Sequence, residues 1–197
     1  IDLAEIKDYI NHISQVKIHK LVLISTVGVY KNPNGANEDT PVVTDGLTPY
    51  GQNRYFLEQW CHDNFDATVV RLPGLFGKGL KKNVIYDLLH DNMLDKIHKD
   101  GVYQYYNLGN IWKDIEVAVA NHLPLVNIAV PPVSTEEVAR YAFGIEFTNA
   151  PKDITPAFWD MHSKYANLYK GEGDYLYTKQ QELDGLKVFV GAERARS

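Results

Sequence analysis

Two short apolar runs with a helix between them constrain the fold of this chain more than any other feature. The first run covers residues 21–30 and the second covers Ala67–Leu72, and both are rich in the aliphatic and β-branched residues of buried strands. Thr48 and Pro49 suit a helix start, because a threonine oxygen accepts backbone N–H groups and proline has no N–H to lose. The order strand, helix, strand predicts parallel strands joined by a crossover helix.

Polar groups stand where the first strand ends and where the helix begins. Ser25 and Thr26 close the apolar run, and ligands of open α/β sheets bind beyond the carboxyl ends of the strands. Tyr50 and Arg54 are four residues apart, so both project from one face of the helix. A fixed cation beside a phenol favours the phenolate, which makes Tyr50 a candidate proton carrier. The alternative is an ordinary surface pair.

Three motifs follow one another with a characteristic spacing. They are Ser25-Thr26-Val27-Gly28-Val29-Tyr30, then Tyr50-Gly51-Gln52-Asn53-Arg54 with Glu58, then Val69-Val70-Arg71-Leu72-Pro73-Gly74-Leu75-Phe76-Gly77. In this order they resemble the extended short-chain dehydrogenases/reductases, also called NAD-dependent epimerases/dehydratases. The resemblance implies an α/β chain with a partial Rossmann-type, doubly wound parallel sheet and a smaller α/β substrate domain.

The resemblance also implies roles for single residues. Tyr50 matches the catalytic acid/base, and Thr26 matches the hydroxyl that binds the reacting oxygen. Arg54 stands where the family has a lysine that holds the nicotinamide ribose, and arginine keeps the charge but does not deprotonate. The implied cofactor is NAD or NADP, and the residues that would bind it are Ser25, Tyr50, Arg54, Pro73, Gly74 and Leu75.

The implied substrate is a sugar or a sugar nucleotide. Thr26 would contact it, and Lys81, Lys82 and Asn83 precede a predicted helix where the family binds a diphosphate. A helix cap with two solvated lysines is an equal alternative. Tyr103 stands where the family often has an arginine that grips a phosphate, which weakens the case for a nucleoside-diphosphate sugar.

The chain contains no glycine-rich turn between a strand and a helix, the element that holds a dinucleotide pyrophosphate. We therefore expect residues 1–76 to be the C-terminal half of a dinucleotide-binding domain and residues 77–197 to be a substrate-binding domain. Either about 90 preceding residues were removed, by the usual layout of several βα units, or the polypeptide is a natural remnant. In both cases we expect these residues alone to bind NAD weakly or not at all and to show little turnover.

Composition excludes several other classes of function. A net charge of -5 argues against nucleic acid as a partner. Cys61 is the only cysteine, which excludes an intrachain disulfide, and we expect a buried, inert thiol. There is no membrane-length apolar stretch, no signal peptide and no defensible metal-ligand spacing. We expect a cytoplasmic protein without a metal, and a homodimer is a further expectation.

The remaining elements follow from periodicity and capping signals. Helices are predicted over residues 1–16, from Asn83, over 110–121, from the capping box Ser134-Thr135-Glu136-Glu137 to 143, and over 178–190. Strands are predicted over 102–108 and 125–130, with tyrosines 103, 105 and 106 packing in the strand. Residues 31–48 and 147–173 are predicted loops, in which Glu38 and Asp39 are expected to be solvated rather than to contact substrate.

Two other classes of function stay open. One is a non-catalytic relative that binds a ligand in the same cleft, which the arginine at 54, the glycine at 74 and the missing arginine at 103 favour. The other is a scaffold subunit that docks on a partner through an exposed apolar face.

Overall fold

A computed structural model describes residues 3–196 of the chain and shows a mixed α/β architecture. The α-helices are α1 (Leu3–Ile13), α2 (Pro49–Asn64), α3 (Val84–Leu89), α4 (Ile111–Ala120), α5 (Thr135–Val138) and α6 (Lys179–Arg194). The strands are β1 (Leu21–Thr26), β2 (Ala67–Leu72), β3 (Gly74–Phe76), β4 (Val102–Tyr103), β5 (Tyr105–Asn107), β6 (Leu125–Asn127) and β7 (Val133–Ser134). Short 3₁₀ turns and a π-helix, Ala139–Phe143, connect them.

The main sheet has the order β1-β2-β6, and all three strands are parallel. Leu21 pairs with Ala67, and Val69 pairs with Leu125. Every residue of β2 is buried, as expected for a central parallel strand covered on both faces. The predicted parallel pair with its crossover helix is therefore confirmed. Among residues 3–196, β1 has a strand partner on one side only.

The start of α2 follows the predicted capping scheme. Thr48 is the N-cap, its hydroxyl oxygen accepts the Gly51 N–H at 3.2 Å, and Pro49 occupies the first helical position. Gly51 lets this helix approach β1 closely, because a Cβ added there would lie 2.3 Å from the Gly28 carbonyl oxygen. The first turn of α2 is thus held directly against the segment that follows β1.

The prediction of one strand over residues 102–108 is wrong in detail. Gln104 interrupts it, so that β4 pairs antiparallel with β7 while β5 pairs parallel with β3. The Gln104 amide donates to the Val130 and Met161 carbonyls and accepts the Met161 N–H. A side chain satisfied by three backbone groups thus splits the strand between two small sheets.

Other predicted elements are confirmed with shifted bounds. The 21–30 run leaves the sheet after Thr26 and continues as a 3₁₀ turn, the 125–130 run leaves it after Asn127, and α6 extends to Arg194. The Ser134–Glu137 capping box is present. Because β6 pairs with β2, the main sheet contains strands from both sides of the predicted domain boundary at residue 76. The boundary itself stays a prediction.

Separate apolar clusters hold the sheets and helices together. One cluster packs α1 and α2 on the main sheet and contains Cys61, which is fully buried as predicted. Burial, and secondarily the charge of Glu58, raises the pKa of the Cys61 thiol to about 11, so it stays protonated and unreactive. Between residues 3 and 196, no helix combines the length and apolar character needed to cross a membrane.

Candidate active site

A cavity of about 670 Å³ opens beyond the carboxyl ends of β1 and β2 and is called the main cavity here. That is the expected ligand position in an open α/β sheet. Ten residues were predicted from the sequence to belong to the site, and all ten line the main cavity. They are Ser25, Thr26, Tyr50, Arg54, Pro73, Gly74, Leu75, Lys81, Lys82 and Asn83. The structure therefore brings these residues together, although it does not test their roles.

Thr26 is oriented by the turn that follows β1. Its Oγ1 accepts the Gly28 N–H at 3.1 Å, which leaves the hydroxyl proton available for a ligand. A Cβ built on Gly28 would lie 3.4 Å from Thr26 Oγ1 and 3.4 Å from a ring carbon of Tyr50. Thr26 and Tyr50 thus flank a narrow space that the missing side chain of Gly28 leaves open.

Tyr50 and Arg54 lie on one face of α2, as predicted. The Arg54 guanidinium carbon is 5.6 Å from the Tyr50 ring centre, within the range of a cation–π contact. Tyr50 is 44% exposed, so its ring is accessible from the cavity. Arg54 Nε is buried and has no hydrogen-bond partner among residues 3–196. An orphaned donor beside a cavity suits a ligand that brings its own acceptor.

A buried ion pair lies below these residues. The Glu58 carboxylate accepts hydrogen bonds from Arg71 Nε and Nη2 and from the Ser25 hydroxyl, and both charged side chains are under 5% exposed. Arg71 Nη1 also donates to the Tyr30 hydroxyl at 2.7 Å. Burial by itself lowers the pKa of Arg71, but the hydrogen bonds and charge of Glu58 raise it overall. This network joins β1, α2 and β2 at the floor of the site.

This network was not predicted from the sequence, although Glu58 and Arg71 both belong to the recognised motifs. The available signal was an arginine inside the otherwise apolar Ala67–Leu72 run, because a charge in a doubly covered strand requires a buried partner. The network also changes the expectation for Ser25. Its hydroxyl donates to Glu58 rather than into the cavity.

The opposite wall of the main cavity is residues 77–83, here called the lysine loop. It carries Lys78, Lys81 and Lys82, and with Arg54 these are the charged residues that line the main cavity. Within residues 3–196, none of the three lysines forms an ion pair. The main cavity therefore has a net positive lining.

Asn83 closes the lysine loop and caps α3. Its Oδ1 accepts the Ile85 and Tyr86 N–H groups, and its Nδ2 donates to the Leu75 carbonyl at 2.8 Å. The amide is thus already satisfied by the protein, and contact with a diphosphate stays a prediction for this residue. The two lysines beside it are free to bind an anion.

Two further cavities adjoin the main one. The aromatic cavity, about 340 Å³, includes Tyr103 and Tyr105 in its lining and shares Pro73, Gly74 and Asn83 with the main cavity. The threonine-side cavity, about 400 Å³, shares Thr26 and Tyr50 with the main cavity. Trp159 lines both adjoining cavities, and it belongs to no motif that would have identified it from the sequence.

The expectation that Glu38 is solvated is wrong. Its carboxylate accepts the Asn127 N–H, the Ser163 hydroxyl and the Lys164 N–H, so it fastens residues 31–48 to a later loop. Asp39 is exposed and pairs with Lys164.

The predicted strand packing of tyrosines holds for Tyr105 and Tyr106, which are 2% and 1% exposed. Over the described part of the chain, no group of three metal-ligating side chains occurs.

Comparison with known proteins supplies structural relatives only. No protein-family profile and no curated protein matches the chain. Among solved structures, it is similar to MoeE5 in complex with UDP-glucose and NAD, with 14% identity and a TM-score of 0.72 over 98% of this chain and 71% of that one. It is also similar to UDP-glucuronic acid 4-epimerase from Bacillus cereus in complex with NAD, with 17% identity, a TM-score of 0.71 and coverage of 97% and 66%.

A third similar structure is TunA, an NAD-dependent NDP-hexosamine 5,6-dehydratase of tunicamycin biosynthesis, with 18% identity and a TM-score of 0.69. The alignment covers 99% of this chain and 70% of TunA. The chain thus spans about two thirds of the length of these structures. It has the fold of the extended short-chain dehydrogenases/reductases.

Proposed function

We propose that the main cavity is part of the active site of an NAD(P)-dependent epimerase, dehydratase or reductase that acts on a sugar nucleotide. The observation that carries this proposal is the convergence of Thr26, Tyr50 and Arg54 on one cavity beyond the parallel strands. The similar structures support it, because MoeE5 was solved with NAD and either UDP-glucose or UDP-glucuronic acid, and the Bacillus cereus epimerase was solved with NAD.

In this proposal Tyr50 moves the proton and Thr26 fixes the oxygen. The Tyr50 phenolate accepts the proton of a sugar hydroxyl, and the Thr26 hydroxyl donates a hydrogen bond to the same oxygen. Thr26 Oγ1 already accepts the Gly28 N–H, and its own proton is available for donation to that oxygen. Gly28 leaves the space between these two side chains in which the oxygen would lie.

The cofactor is proposed to be NAD, with NADP as the alternative. When bound, a nicotinamide supplies the acceptor for the hydride. Arg54 fits the attached ribose, since its unpaired Nε is a buried donor that needs an acceptor. Tyr50, Ser25 and residues 73–75 line the same cavity. Because these 197 residues contain no glycine-rich turn, we propose that on their own they bind NAD weakly.

The anionic part of the substrate is proposed to bind at the lysine loop. Lys81 and Lys82 offer unpaired ammonium groups, whereas the Asn83 amide is already occupied by backbone groups. A diphosphate suits this wall because two lysines can neutralise it at the cavity edge. We also propose a cytoplasmic location, where the single buried thiol stays reduced, and a homodimer.

One observation favours a second candidate, a ligand-binding relative without turnover. Arg54 replaces a residue type that can exchange a proton, and a guanidinium cannot deprotonate. Such a protein would bind the same ligands in the same cavity and leave them unchanged.

Calorimetric titration of UDP-glucose and of nicotinamide mononucleotide into the gene product tests the site. We expect both to bind, and Arg54→Met to weaken nicotinamide mononucleotide binding about tenfold while UDP-glucose binding stays within about twofold. Exposed Lys152→Ala is the matched control and should change neither. Absence of UDP-glucose binding, or an equal loss for both ligands in Arg54→Met, would contradict the assignment.

A further inference from the structure

Residues 157–164, here called the strap, cross the molecule between two parts of the site. Trp159 lies within the strap and lines both the aromatic cavity and the threonine-side cavity. With Val27, which also lines both cavities, it borders the space around Thr26 and Tyr50 and the space beside Tyr103. Trp159 is 38% exposed, so part of this large aromatic residue is accessible.

The backbone on both sides of Trp159 is fixed by hydrogen bonds. The Val102 N–H donates to the Ala157 carbonyl at 2.8 Å, and the Trp159 N–H donates to the Val102 carbonyl at 3.1 Å. The Asp160 N–H donates to Asn34 Oδ1 at 3.0 Å. These bonds tie the indole to β4 on one side and to the 31–48 segment on the other.

The rest of the strap is anchored in the same two directions. The fully buried Met161 exchanges backbone hydrogen bonds with the Gln104 amide, and Glu38 binds Ser163 and Lys164. A tryptophan side chain has few rotatable bonds, so on a segment fixed in this way it loses little conformational entropy when a ligand packs against it. The strap thus presents a preorganised aromatic face.

The cavities that Trp159 borders differ in charge from the main cavity. No charged side chain lines the aromatic cavity, and Lys31 alone does so in the threonine-side cavity. The main cavity carries four cationic side chains. Two polar groups that do border the aromatic cavity, Gln104 and Asn83, already have protein partners. An anion there would lose its hydration without a compensating charge.

We propose that Trp159 is a specificity-determining residue that binds an uncharged ring of the sugar nucleotide, together with Tyr103, which lines the same aromatic cavity. This rests on the proposed function, and it adds which side chain recognises the neutral part of the substrate. The ring is the hexose, which offers an uncharged face of C–H groups to an aromatic side chain, or the nucleobase, which offers a flat, uncharged face. The anionic part of the same ligand lies toward the lysine loop.

Intrinsic fluorescence with UDP-glucose gives a local readout. The chain has three tryptophans, and Trp112, 70% exposed on α4 and outside all of these cavities, provides the matched control. We expect UDP-glucose to change the emission of the wild type and of Trp112→Phe, and to leave that of Trp159→Phe unchanged. UDP and glucose 1-phosphate, titrated separately, assign the ring: the nucleobase if UDP reproduces the change, the hexose if glucose 1-phosphate does.

Affinities measured by calorimetry complete the test. Trp159→Ala should weaken UDP-glucose binding about tenfold, and Trp159→Phe, which keeps an aromatic face, less than about threefold. If UDP-glucose binds equally well to Trp159→Ala, and the wild-type emission does not change, the inference is overturned while the proposed function stands. If no sugar nucleotide binds to the wild type, both are overturned. Unchanged thermal unfolding of the variants excludes loss of fold as the cause.

Discussion

Glu58 and Glu182 are buried carboxyl groups in two regions of the molecule, and they differ in their partners. Glu58 lies under the site, is 1% exposed, and accepts hydrogen bonds from Arg71 and Ser25. Glu182 lies in α6 beside β5 and is 5% exposed. One of its oxygens accepts the Tyr105 N–H, and the other has no partner among residues 3–196.

The two carboxyl groups differ in what surrounds them: Glu58 has a cationic partner, and Glu182 is buried without one in the described part of the chain. At Glu58 a fixed anion organises β1, α2 and β2 and so positions Thr26 and Tyr50. At Glu182 burial raises the pKa well above its ordinary value, and the Tyr105 N–H and Lys179 only partly oppose this. The proposed catalytic residues Thr26 and Tyr50 therefore lie in the region in which the buried charge is paired, and we expect the paired network to contribute more to stability than Glu182 does.

Removing the cation from the paired region should have the largest effect. Arg71→Met leaves the Glu58 carboxylate buried without its partner, and we expect the free energy of unfolding to fall by about 3–5 kcal/mol. Urea unfolding measures it. The double variant Glu58→Leu with Arg71→Met buries no charge and should recover most of the loss. Equal losses in the single and the double variant would show that an unpaired charge is not the cause.

Close packing of α2 on the turn after β1 should be the next most sensitive feature of the paired region. Gly51→Ala places a Cβ against the Gly28 carbonyl, so the helix start must shift, and we expect a loss of about 1–3 kcal/mol in the free energy of unfolding. Gly191→Ala in α6 is the control, because a Cβ there meets no atom within 4 Å. It should stabilise by about 0.5–1 kcal/mol. A stabilising Gly51→Ala would refute the close approach.

The raised pKa of Glu182 predicts that its contribution to the stability of the protein depends on pH. Since the folded pKa of Glu182 is raised, its contribution to stability is fully present below the ordinary value of 4.5 and is lost as the pH rises through the folded pKa. Glu182→Gln should therefore raise the melting temperature by roughly 2–4 °C at pH 8 and have little effect near pH 4.5. Exposed Glu116→Gln is the control. A pH-independent effect of Glu182→Gln would contradict a raised pKa.

Charges of the lysine loop should matter least for stability, because they have no protein partners to lose. We expect the triple variant Lys78→Ala, Lys81→Ala, Lys82→Ala to change the free energy of unfolding by less than about 0.5 kcal/mol per site. Its affinity for UDP-glucose should fall roughly three- to tenfold at low salt and lose most of its salt dependence. An affinity that is unchanged at every salt concentration would place the anionic group elsewhere.

The sequence predicted the local features of this molecule better than its long-range ones. Caps at Thr48 and Ser134, the parallel pair of β1 and β2, and the convergence of the predicted residues on one cavity followed from short-range patterns. The break at Gln104, the anchoring by Glu38 and the place of Trp159 did not. Each depends on partners 26 or more residues away, which no periodicity or capping signal encodes.

Hydride transfer in a single turnover tests the central claim, that Tyr50 carries the proton in this cavity. The gene product is mixed with UDP-glucose and NAD, and reduction of the nicotinamide is followed by its absorbance. We predict that Tyr50→Phe slows reduction by about 10²-fold or more while the dissociation constant of UDP-glucose is unchanged. Equal rates in the wild type and in Tyr50→Phe, or no reduction in a wild type shown to bind both ligands, would contradict the account.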